Sequence, residues 1–199
     1  MRLSDVHCSL FLLGRHSIGC PGFSIPIIRL RPAEKTAAHI CVPHHTLIRG
    51  DFLAIVQTDV PMTSERYAQT LRQLADTYPF LKTEILTNTA FGRPVYAIKI
   101  GDGERNVLFT AAHHANEWIT SLILLKFVEE FAEAIRQEGC VFGVPAKQIA
   151  EVATIYTVPM VNPDGVDLVV GEIPEGTLPY EMARAMADFY PGIPFPEGW

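Results

Sequence analysis

The sequence predicts an α/β fold in which a parallel or mixed sheet is covered by helices. Three observations carry this. Residues 107–112 form a short run that is apolar on both faces, as a strand buried in a sheet interior requires. Residues 117–135 then show a long apolar periodicity of helical type, and residues 153–161 form a second buried strand. Strand, helix, strand with a long crossover is the signature of such a sheet.

The elements can be justified in order. Thr63 and Ser64 are good helix N-caps, and Glu65 falls in the first turn, where negative charge suits the dipole. Tyr67, Leu71, Leu74, Ala75 and Tyr78 recur at helical spacing, and Pro79 ends that helix. Residues 83–88 read as a strand and Phe91-Gly92-Arg93-Pro94 as a turn. In the next strand Val95, Ala97 and Lys99 alternate with Tyr96, Ile98 and Ile100. Gly101-Asp102-Gly103 breaks the chain before the strand at 107–112, which is expected to be central. In the long helix Leu122, Leu125, Phe127, Val128 and Phe131 face inward, and Gly139 ends it. A short helix at 147–151 precedes the strand at 153–161, and a last helix at 180–189 lies between Pro-rich loops.

With 199 residues, 48% hydrophobic and 19% charged, the chain is globular and long enough to bury a core. A net charge of −6 argues against a nucleic-acid partner or an anionic membrane surface. No run reaches the roughly 18 apolar residues of a membrane span. Cys8, Cys20, Cys41 and Cys140 show no C-x-x-C spacing and are expected to be ordinary small apolar residues. The organisation expected is a poorly defined segment at 1–54 and a catalytic-type domain at 55–199. Cys8-Ser9-Leu10-Phe11-Leu12-Leu13-Gly14 is short for a signal peptide and is flanked by Asp5, His7, Arg15 and His16, which do not suit one. The compartment is left open between cytoplasm and cell envelope. His44-His45 is expected in a surface loop.

The chemistry concentrates in Ala111-Ala112-His113-His114-Ala115-Asn116-Glu117-Trp118-Ile119-Thr120. A strand end delivers an imidazole at His114, and a tight turn returns a carboxylate at Glu117. Together they suit zinc, which takes neutral imidazole nitrogen and carboxylate oxygen at about 2.0–2.2 Å. Catalytic zinc usually has three protein ligands and an open position for water, so this pair supplies two. The competing reading is a glutamate that merely serves the first turn of the next helix. Adjacent extended residues point opposite ways, so His113 is expected to be a packed or hydrogen-bonded neighbour of the ligand rather than a second ligand. Asn162-Pro163-Asp164-Gly165 has turn chemistry and is expected to shape the loop beside the pocket. Both stretches fall at carboxyl ends of strands, where open α/β sheets bind their ligands.

The stretch His114-Ala115-Asn116-Glu117-Trp118-Ile119-Thr120 resembles the zinc carboxypeptidase family, and within it the bacterial branch that cleaves γ-D-glutamyl–diaminopimelate bonds in cell-wall peptides. Three further stretches fit in the same order. Residues 67–81, ending Tyr78-Pro79-Phe80-Leu81, look like the family's entry helix. Gly92-Arg93-Pro94-Val95-Tyr96-Ala97-Ile98-Lys99-Ile100-Gly101 looks like its next hairpin strand. Val158-Pro159-Met160-Val161-Asn162-Pro163-Asp164-Gly165-Val166-Asp167 looks like the strand and turn after the metal helix. Pro26-Ile27-Ile28-Arg29-Leu30-Arg31-Pro32 faintly resembles the last strand of a cell-wall-binding LysM repeat. The resemblance implies a mixed sheet flanked by helices, zinc as cofactor, His114 and Glu117 as metal ligands, Trp118 packed beneath the site, and a peptide or muropeptide substrate.

The sequence also departs from the family pattern. Members continue past the Asn-Pro-Asp-Gly turn through a substrate-gripping arginine, an Asn-Arg-like pair, a third metal ligand that is histidine, a pocket tyrosine and a late general-base glutamate. Here no histidine follows His114, and the only arginine after Arg136 is Arg184, set in a helical pattern. The expectation is therefore a catalytic domain truncated at its C-terminus, with no catalytic residue assigned within it and no activity alone. The alternative function is a non-catalytic peptide- or muropeptide-binding module derived from the same fold. An unrelated α/β protein with a chance His-x-x-Glu would have to match four ordered stretches by accident.

Overall fold

The computed structural model describes residues 10–11 and 54–199 of the chain. The LysM-like stretch, His44-His45 and most of the apolar stretch near Cys8 lie outside the described residues.

The described elements are β1 (Leu10–Phe11), α1 (Ser64–Thr77), β2 (Lys82–Asn88), β3 (Pro94–Ile100), β4 (Arg105–Thr110), a 3-10 turn (Ala115–Glu117), α2 (Ile119–Arg136), β5 (Cys140–Val141), β6 (Val144–Pro145), α3 (Ala146–Val152), β7 (Ala153–Val158), α4 (Pro163–Val169) and α5 (Leu178–Ala187). One sheet has the order β1-β4-β7-β3-β2, and β5 pairs β6 as a small separate ribbon. The β4–β7 pair is parallel, with Val107 opposite Ile155 and Thr110 opposite Val158. The β3–β7, β2–β3 and β1–β4 pairs are antiparallel. The mixed sheet and its helices are thus of the expected α/β class.

Local chemistry explains the boundaries. Thr63 caps α1, its hydroxyl accepting from Arg66 N, and Tyr67, Leu71 and Leu74 are buried. The β2–β3 turn reverses at Gly92, whose φ of +82° is easily reached without a Cβ. The break at 101–103 has a packing cause as well. A Cβ on Gly103 would lie 2.0 Å from the Val152 carbonyl carbon, so only glycine lets this segment cross the end of α3.

The main core lies on one face of the sheet. Ile98 and Ile100 of β3 and Ile155 of β7 meet Tyr67, Leu71 and Leu74 of α1 and Leu122, Leu125, Val128 and Phe131 of α2. Burying each such side chain contributes about 1.5–3 kcal/mol. The alternation in β3 then sends Val95 and Ala97 to the other face, into a smaller cluster with Val158.

Several expectations are corrected. The central buried strand is β7, buried at every position except Tyr156, whereas β4 is exposed at its start and half-buried beyond. An all-apolar run fits both positions, and the local pattern does not distinguish them. The long helix begins two residues later than expected, because a 3-10 turn intervenes. Asn162-Pro163-Asp164-Gly165 is the start of α4, not a free turn. The Asn162 side chain accepts from Gly165 N as an N-cap, with Pro163 at the first helical position. Cys140 is not an ordinary apolar residue but is disulfide-bonded.

Candidate metal centre

The His114–Glu117 turn sits where two parallel strands end. Ala111 N donates to Val158 O at 3.0 Å, Val161 N to Ala111 O at 3.1 Å and Asn162 N to Ala112 O at 3.1 Å, so the chain leaving β4 stays laced to the chain leaving β7. Ala112 adopts φ +48°, a left-handed conformation unusual for alanine, and this bend turns the chain out of the sheet. His114 follows in extended conformation, φ −85° and ψ 131°, and Glu117 N donates to His114 O at 3.1 Å to close the turn.

His114 is the extended N-cap of the 3-10 turn and Glu117 its last residue, so the two stand at the ends of one short turn. His114 is exposed and Glu117 half-buried. Among the described residues neither side chain is taken up in an ion pair. Solvent-accessible imidazole and carboxylate donors on one tight turn fit two positions of a zinc shell. Among the described residues no group of three or more His, Cys, Asp or Glu side chains is gathered for a metal, so the pair stands without a third ligand there.

The neighbouring groups are committed elsewhere. The His113 ring Nε2 lies 2.9 Å from Thr110 Oγ1, which makes it the hydrogen-bonded neighbour expected from the sequence. Asp164 accepts from Arg93 Nη1 at 2.9 Å. Trp118, half-buried, packs against the main core and leads into α2.

The turn is backed by α4. Asn162 Nδ2 donates to His113 O at 3.4 Å. A Cβ on Gly165 would stand 2.9 Å from Ala115 Cβ and 2.4 Å from Asn162 Nδ2, so glycine is what lets α4 lie against the His114–Glu117 turn. The other end of α4 is fixed by Asp167, which is buried and accepts from Ser64 N at 2.7 Å, Ser64 Oγ at 2.5 Å and Arg93 Nε at 2.6 Å. This Ser64–Arg93–Asp167 network did not emerge from the sequence. Its one visible signal is the spacing of Asp164 and Asp167, which puts two carboxylates on the same side of a helix.

A His-x-x-Glu turn at the adjoining ends of two parallel strands is an arrangement compatible with a metal-dependent hydrolase. The chain belongs to the zinc carboxypeptidase family, whose model matches residues 67–177. It is 35% identical over 104 residues to a gamma-D-glutamyl-L-diamino acid endopeptidase 1 of Lysinibacillus sphaericus, a match covering 52% of this chain and 26% of that protein. It is 32% identical over 99 residues to carboxypeptidase B of Rattus norvegicus, covering 48% of this chain and 23% of that one. The match thus spans about a quarter of each of these curated relatives. Among solved structures, thrombin activatable fibrinolysis inhibitor superposes with a TM-score of 0.51 at 16% identity, covering 63% of this chain and 34% of that chain, a likeness of fold.

Proposed function

We propose that His114 and Glu117 are two protein ligands of a peptidase zinc, and that the substrates are γ-D-glutamyl–diamino acid peptides of the cell wall. The observation that carries the reading is the exposed His114–Glu117 turn held at the adjoining ends of β4 and β7. Similarity to the Lysinibacillus sphaericus endopeptidase supports the substrate class.

Zinc held there supplies Lewis-acid polarisation of a scissile carbonyl and a bound water of lowered pKa. The chain's own residues contribute the imidazole of His114 and the carboxylate of Glu117, on a turn that a peptide can reach from solvent. Gripping the substrate's free carboxylate calls for a basic group, bidentate if arginine. Arg93 does not serve, since Asp164 and Asp167 already engage it. Arg184 is in the last turn of α5. With two ligands, no histidine after His114 and no assigned base, these 199 residues bind zinc weakly and do not hydrolyse such peptides unaided. The same shortage favours a second reading, in which the surface holds a peptide without cleaving it.

The test titrates zinc into the chain and into His114→Ala, then incubates each with a γ-D-glutamyl–diaminopimelate muropeptide with and without a chelator. Weak zinc binding abolished by the substitution, with no turnover, is the expected result. Tight binding that survives His114→Ala sinks the ligand assignment. Chelator-sensitive turnover refutes the claim of inactivity. Muropeptide binding without cleavage selects the second reading.

A further inference from the structure

The metal turn is closed by a hydroxyl that neither ligand carries. Thr120 Oγ1 donates to Glu117 O at 2.8 Å, and the same oxygen accepts from Ala112 N at 2.8 Å. The first bond is ordinary for a threonine early in a helix, which often bonds a carbonyl in the preceding turn. The second is not, because Ala112 lies eight residues back and outside the helix. A hydroxyl has one proton to give and lone pairs to receive, so both capacities are used in opposite directions along the chain.

The two bonded groups bracket the ligands. Ala112 is where the chain leaves β4, buried and held at φ +48°. Glu117 ends the 3-10 turn. Without the hydroxyl the buried Ala112 N–H would lose its partner, just where the backbone is in an uncommon conformation. On the other side of the same residue the Ala112 carbonyl is held by Asn162 N at 3.1 Å, so Thr120 completes the fixation of both peptide groups.

We propose that Thr120 is a positioning residue of the metal centre, its hydroxyl setting the separation and orientation of the strand end that bears His114 and the turn that bears Glu117. This rests on the reading of His114 and Glu117 as zinc ligands. A side chain outside the ligand set acts here through the main chain, tying the loop across its base.

The experiment uses the full 199-residue chain and its Thr120→Val, Thr120→Ser, Thr120→Cys and Glu117→Ala variants. Zinc affinity is measured by titration, and hydrogen exchange at the Ala112 amide is followed without metal. Valine keeps the shape and removes the hydroxyl, serine keeps the hydroxyl, and a thiol bonds weakly. Zinc affinity is expected to fall about tenfold in Thr120→Val, the scale of lost ligand-supporting contacts. It returns in Thr120→Ser and lies between in Thr120→Cys, with Ala112 exchange speeding up in the same order. Should valine unfold the chain, the serine and cysteine variants decide by the same ordering. Zinc affinity and Ala112 protection that ignore the hydrogen-bonding power of residue 120 overturn the proposal. Equal zinc affinity in the parent and Glu117→Ala overturns the ligand reading instead. In that case unchanged Ala112 exchange across the Thr120 series overturns the clamp as well, and faster exchange in valine retains it as a backbone device.

Discussion

Arg93 Nε lies 2.6 Å from Asp167 Oδ2, although the two residues are 74 positions apart. The same guanidinium reaches Asp164, and Asp167 also receives both donors of Ser64. One carboxylate thus ties the β2–β3 turn, the start of α1 and the body of α4, and α4 in turn backs the His114–Glu117 turn. Desolvated charges of this kind are costly to leave alone, and the Asp167 side chain is only 5% exposed.

Arg93→Met is therefore expected to destabilise the fold by about 2–4 kcal/mol, the loss for breaking a buried pair discounted for the part of Arg93 that reaches solvent. Arg93→Lys should recover part of this, since one ammonium cannot reproduce a guanidinium shared between two carboxylates. Denaturant melts check both. A loss below about 0.5 kcal/mol, as at an exposed pair, would contradict the account.

Glu133 gives a pH dependence with a definite sign. Hydrogen bonds from Arg136 hold its carboxyl below the usual glutamate range despite burial, with Tyr78 and Gln137 adding to the effect. A group whose folded pKa is depressed stabilises above its unfolded value, about 4.3, and loses that contribution as pH falls toward the lower folded value. Between pH 5 and pH 3 the parent should lose melting temperature more steeply than Glu133→Gln. Parallel profiles for the two proteins would remove Glu133 as a cause.

Leu178, Met182 and Met186 recur every four residues along α5 and are 70%, 52% and 61% exposed, with Phe189 beyond them at 82%. Strand β2, at the edge of the sheet, is exposed throughout and includes Ile85 and Leu86. An apolar stripe and an open edge together promote association. The chain is expected to be marginally stable or to aggregate, and Met182→Lys with Met186→Glu should reduce light scattering. A monodisperse monomer melting sharply above about 60 °C would be incompatible with this.

What the sequence disclosed follows the reach of its signals. The N-cap at Thr63, the stripe Tyr67-Leu71-Leu74 and the inward face Leu122-Leu125-Val128-Phe131 are local periodicities, and all were legible. So was the His-x-x-Glu turn, because strand, bend and helix succeed one another within ten residues. Glu129 and Glu133 were not. They lie on the core side of α2, where a binary pattern expects apolar residues, and are buried because distant groups meet them. Ile55 N donates to Glu129 at 2.6 Å and Tyr78 OH to Glu133 at 3.0 Å. A partner 74 or 55 residues away leaves no mark in the local pattern. The order of β4 and β7 was hidden for the same reason. Thr120 was quoted within the motif, yet its hydroxyl gained meaning only once Ala112 was seen bending toward it.

The lacing of the two strand ends also sets an order of assembly. The groups that brace the His114–Glu117 turn from beyond the motif come from Val158, Val161 and Asn162, and the Asn162–His113 contact alone spans 49 residues. Contacts of that range form only after a long loop has closed. During synthesis a nascent chain that has emerged as far as Thr120 carries every residue of the motif and the Thr120 hydroxyl, yet it lacks the bracing from Val158, Val161 and Asn162 until β7 and the start of α4 have followed. Metal captured on the ribosome at that stage would meet a floppy chelate, and the rigid one exists only after β7 docks beside β4.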